Sequence, residues 1–183
     1  MSKRARVYDR SVLSPFLADL GSGSIARAVV AAAGAPGRAL VLADVAIARE
    51  LAQKGFRVVL SAGSRRVRPR PDYVLVRASA DALPLQSRSV AVVVMQGRGV
   101  ELRGAAEDAA LAAERIRSWL APLAPEGRLV LVDRIDGGLL GARSAVSRED
   151  LCAALLAARL TGIAQAAPRA GTVVTCGVYP PGT

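Results

Sequence analysis

Between residues 38 and 179 the chain alternates short, unbroken apolar runs with segments of helical composition. No other feature restricts the fold as much. The runs at 39–43, 56–60, 73–77, 90–95 and 129–132 are too short for stable helices, and they lack the regular apolar–polar alternation of a strand with one wet face. They read as strands covered on both sides. Between them, 45–54 and 105–120 read as helices. Gly55 suits the position just past the first, and Pro122 and Pro125 stop the second. Ser147-Arg148-Glu149-Asp150 resembles a capping box for a helix over 151–160. The segments 163–167 and 172–179 flank Gly171 and read as a closing hairpin. Counted from Ala39, seven strands are expected, in a three-layer α/β arrangement.

Residues 1–37 read as a basic arm and an N-terminal helical extension, and 38–183 as the α/β domain. Lys3, Arg4, Arg6 and Arg10 mark the arm. Ser14-Pro15 opens a helix, Gly21-Ser22-Gly23-Ser24 interrupts it, and Ser24 caps a second helix through Ile25, Val29 and Val30 as far as Gly34. The first residues do not resemble a signal peptide, and no apolar run approaches the roughly 20 residues that span a bilayer. Cys152 and Cys176 form no CxxC pattern. Reduced thiols and a cytoplasmic location are therefore the expectation.

Composition removes several chemistries. Of 183 residues 52% are hydrophobic but only 3% aromatic, so the core must be built from Ala, Val and Leu. The absence of histidine excludes Ser-His-Asp and Cys-His catalysis and imidazole metal sites, and no metal is expected. The formal charge of +10, from 25 basic and 15 acidic residues, favours nucleic acid, anionic lipid or acidic proteins as partners. All the basic residues except Lys3 and Lys54 are arginine, a bias that a GC-rich coding sequence explains most simply.

Three stretches carry a family resemblance, and the closing hairpin completes it. "GRALVLADVAIARELAQKGFRVVL" resembles the first strand, first helix and second strand of class I S-adenosylmethionine-dependent methyltransferases. "VRASADALPLQSRSVAVVVMQG" resembles that family's passage from third to fourth strand, and "IRSWLAPLAPEGRLVLVDR" its helix, turn and fifth strand. The resemblance covers about four-fifths of the chain. It implies a Rossmann-like, mostly parallel seven-stranded sheet with an antiparallel last strand.

The cofactor motifs of that family are largely missing. Its glycine-rich loop corresponds to Leu42-Ala43-Asp44-Val45-Ala46-Ile47-Ala48, which has no glycine and is a couple of residues short. The acid that receives the two ribose hydroxyls corresponds to Ser61-Ala62-Gly63. Asp81 stands at the position resembling the acid beside the adenine. The cofactor-binding candidates are thus Asp44, Ser61 and Asp81. A second register makes Asp19-Leu20-Gly21-Ser22-Gly23-Ser24 the glycine-rich loop and Asp44 the ribose acid. It leaves one strand too many and puts Pro15 in a buried strand. In the first register Asp44 reads as a helix N-cap as well as a ligand contact, and Asp81 as a turn former as well as a ligand contact.

Arg65, Arg66, Arg68 and Arg70 can grip nucleic-acid phosphates or an acidic partner, or form a solvated surface; only Tyr73 is near for base stacking. Trp119 reads as core, Cys152 as an inert thiol, and Asp133 either as a residue on the ligand-binding strand edge or as a solvated strand terminus. The leading expectation is a non-catalytic methyltransferase-like domain with no catalytic residues and no cofactor, acting through a protein or nucleic-acid partner. The alternatives are an active S-adenosylmethionine-dependent methyltransferase with an atypical cofactor loop, and a basic nucleic-acid-binding adaptor.

Overall fold

The computed structural model describes residues 25–61, 67–78, 85–135 and 146–181. Seven strands form one sheet: β1 (Arg38–Leu42), β2 (Arg57–Ser61), β3 (Tyr73–Val76), β4 (Val90–Gln96), β5 (Leu123–Arg134), β6 (Thr161–Arg169) and β7 (Thr172–Val178). Their order is β3-β2-β1-β4-β5-β7-β6. Strands β1 to β5 pair in parallel, and β7 runs antiparallel to both β5 and β6. The helices are α1 (Ile25–Ala33), α2 (Val45–Gln53), α3 (Ala109–Leu120) and α4 (Arg148–Ala157).

The central strands are apolar at nearly every residue because both faces are covered. Val92 and Val94 of β4 pack with α1 and α2, among Val29, Ile47 and Leu51. Val93 and Met95 point the other way, into a cluster with Ile116 and Trp119 of α3 and Leu151 and Leu155 of α4. Each fully buried Leu contributes roughly 1.5–3 kcal/mol, so two such layers need few aromatics, here Trp119 in one and Phe56 and Tyr73 in the other. Trp119 is 1% exposed and is the largest buried side chain, as read from the sequence.

Caps set the helix ends. Asp44 and Ser147 accept backbone N–H groups of Ala46 and Asp150 at the starts of α2 and α4. Helix α2 ends in a Schellman turn: Gly55 N–H donates to Ala52 O, Phe56 N–H to Leu51 O, and Gly55 has φ +87°.

Three local expectations are corrected. The third helix starts at Ala109, not at 105, because Asp108 caps it and 103–107 form turns. The connection between the run at 90–95 and that helix, left without regular structure by the sequence pattern, contains a 3-10 turn, Gly99–Leu102. Strand β5 begins at Leu123, before the Pro125-Glu126-Gly127 turn; the strand absorbs these residues as an irregularity, with Glu126 at φ 62°. Cys152 and Cys176 are both free thiols. No helix among the described residues is long and apolar enough to cross a membrane.

Candidate functional site

Strand β1 lies between β2 and β4. The chain leaves β1 for the α2 face and leaves β4 for the α3 face, so the two connections part at the β1–β4 boundary. A crevice outside the carboxyl ends of the strands at such a switch point is where open α/β sheets bind ligands. Counted from β1, the described strands number seven, as the register starting at Ala39 expects. The residues of the alternative register, Asp19 to Ser24, lie outside the described residues.

The switch point is bridged by a specific contact. Only Ala43 and Asp44 separate β1 from α2. Asp44 Oδ1 accepts the Ala46 N–H at 2.9 Å, and the Asp44 N–H donates to Gln96 Oε1 at 2.8 Å. Gln96 ends β4, so its side chain crosses from one strand end to the next. Both Asp44 and Gln96 are exposed, so solvent and ligand can reach the contact. At the end of β2, Ser61 is buried and donates its hydroxyl to Ala78 O at 2.7 Å. That leaves its oxygen lone pairs as acceptors.

Asp133 marks the same edge on β5, one residue beyond Val132, which pairs with Gln96. It is not a solvated terminus: it is 4% exposed beneath the 3-10 turn. Its Oδ1 accepts the Gly99 N–H at 2.7 Å, while Oδ2 has no hydrogen-bond partner among the described residues. Burial pushes its carboxyl from 3.8 up to about 6; the Gly99 N–H pulls it down and the charge of Glu101 raises it further. Glu101 also holds Arg98 at 2.9 Å and Arg115 at 3.2 Å, and Arg98 stacks over Trp119 at 5.7 Å.

The other candidates separate. Asp81, Arg65 and Arg66 lie outside the described residues. Arg68 and Arg70 are exposed; the carbonyl of Arg68 accepts the Tyr73 hydroxyl at 2.9 Å, and Arg70 bridges to Tyr73 across a turn. The sequence reading missed Gln96, Gly99 and Glu101. The one available signal was a polar residue closing the apolar run of β4.

No protein-family model matches the chain, and no curated protein matches it in sequence. Solved structures do. A chain assigned as a methyltransferase, in complex with the Haloferax volcanii Trm112 methyltransferase activator, superposes with TM-score 0.61 at 16% identity, covering 86% of this chain and 89% of that one. The glycopeptide N-methyltransferase MtfA complexed with sinefungin gives 0.62 at 17%, covering 97% and 100%. Burkholderia thailandensis 1,6-didemethyltoxoflavin-N1-methyltransferase with bound 1,6-didemethyltoxoflavin and S-adenosylhomocysteine gives 0.56 at 15%, covering 94% and 80%. The chain has the class I methyltransferase fold.

This likeness corrects one expectation. The methyltransferase fold was read here as carrying no cofactor, yet neighbours sharing it hold sinefungin or S-adenosylhomocysteine. That expectation rested on the missing glycine-rich loop after the first strand and the missing ribose acid after the second. A cofactor of this kind is held by several strand ends, however, and one short loop does not decide the whole site.

Proposed function

We propose that this chain is an S-adenosylmethionine-binding domain of the methyltransferase fold that acts through a protein partner rather than as a self-sufficient catalyst. The observation that carries this reading is the Asp44–Gln96 contact. The β1 turn spends its carboxylate on its own helix and its N–H on Gln96. The described residues therefore fit the adenosine half of the cofactor, through Ser61, better than the amino-acid half. The neighbour found with the Trm112 activator supports a partner protein.

Calorimetric titration tests the proposal. S-Adenosylmethionine should bind the parent chain at a single saturable site, and Gln96→Ala, which frees the Asp44 N–H, should bind it more tightly. An absence of saturable heat, or unchanged affinity in Gln96→Ala, overturns the reading. A second reading, an active methyltransferase, is favoured by Asp133, a buried carboxyl raised to about 6 on the same strand edge and suited to accept a proton. Transfer of labelled methyl to an RNA or protein pool by the chain alone, lost in Asp133→Asn, would establish that reading instead.

A further inference from the structure

At the opposite, amino edge of the sheet lies a cavity of about 550 Å³, between the ends of α3 and α4 and the starts of β4 and β5. That volume is within the ~300–1,000 Å³ range of small-molecule sites. Strand β4 alone separates the two edges by roughly 20 Å. Arg88, Arg117 and Arg159 line the cavity together with Leu120, Leu123 and Tyr179, and among the described residues no carboxylate does. Arg88 precedes β4, Arg117 lies in the last turn of α3 and Arg159 follows α4, so nothing in the local sequence brings them together.

Arginines near helix C-termini have an ordinary role, which is to offset the terminal carbonyls. Two observations argue against it here. Neither guanidinium of Arg117 and Arg159 makes a hydrogen bond or ion pair with the described residues. In addition, Arg159 occupies an unfavourable place. Helix α4 ends in a Schellman turn, with Arg159 N–H donating to Leu156 O and Leu160 N–H to Leu155 O, and Arg159 has φ 65°. Gly55 fills the equivalent position after α2. An arginine gives that turn nothing glycine would not give better, so its side chain is what the position gains. Arg88 has φ 57°, a second left-handed arginine at the same cavity.

We propose that this cavity binds a nucleoside phosphate, its phosphates held by Arg117 and Arg159 and its base lying against the half-buried Tyr179 ring. Guanidinium forks match phosphate oxygens in pairs, and two of them at one cavity suit a multiply charged group better than a lone carboxylate. The Tyr179 ring, half-buried at the cavity, supplies an aromatic face for a flat base, while Leu120 and Leu123 are buried.

The test is calorimetric titration of the full chain with ADP. One saturable site is expected, weakened at least tenfold in the Arg117→Gln/Arg159→Gly double variant. S-Adenosylhomocysteine should not displace ADP, which separates this site from the carboxyl edge. Arg159→Gly by itself should melt no lower than the parent, because it relieves the left-handed turn, so loss of binding is not loss of fold. The proposal is overturned by any of four results: no saturable heat up to millimolar ADP, undiminished binding in the double variant, displacement by S-adenosylhomocysteine, or adenosine binding as tightly as ADP. Binding of an RNA oligomer without binding of ADP would also overturn it, in favour of a nucleic-acid surface.

Discussion

Asp133→Asn isolates the energetic consequence of burying a carboxyl at the ligand edge. The group is 4% exposed and keeps one hydrogen bond, from Gly99. Its folded-state value, about 6, lies above its ordinary 3.8. Between those values the native chain holds a proton that the unfolded chain has released. Stability from this group is therefore full below the lower value and is lost as pH rises through the upper one. Two units at about 1.36 kcal/mol each give about 3 kcal/mol. For a chain of this size that is a melting-point change of roughly 6–12 °C. Asparagine carries no charge at any pH, and its carbonyl still accepts the Gly99 N–H. Melting curves of parent and variant from pH 4 to 8 are compared as a difference, which cancels all other titrating groups. The variant should gain on the parent by this amount as pH rises from 4 to 7.5. A flat difference curve would refute the reasoning, because it would mean that Asp133 titrates alike in the folded and unfolded chains.

Gly99→Ala would place a Cβ 2.6 Å from Asp133 Cγ and should cost about 1–3 kcal/mol; the loss should shrink in an Asp133→Ala background, as a double-mutant cycle on melting curves would register. Asp44→Ala should cost about 0.5–2 kcal/mol by removing the cap on α2, and Asp44→Ser should recover most of it; equal melting of all three proteins would count against the cap. Burial raises the Cys152 thiol, with Glu149 adding to it, and burial raises Cys176 as well. A disulfide reagent should label Cys152 slowly at pH 7 and faster above pH 9, while Cys176 should react only after denaturation.

The sequence by itself determined the strand–helix alternation, because strands buried on both faces must be written as unbroken apolar runs between helical segments. It determined most helix ends too: Asp44, Gly55 and Ser147 act through bonds to backbone within a few residues. It misjudged the third helix and β5, where Asp108 and an irregularity at Glu126 outweighed local composition. What only the tertiary structure decided depends on strand order. Gln96 reaches Asp44 across 52 residues and Asp133 reaches Gly99 across 34, and neither pairing has a local signature. The same holds for Arg88, Arg117 and Arg159, whose meeting at one cavity follows from β4 starting where α3 and α4 end, at one edge of the sheet. Local chemistry fixes caps and periods; which distant side chains share a site is fixed by the order in which the strands pair.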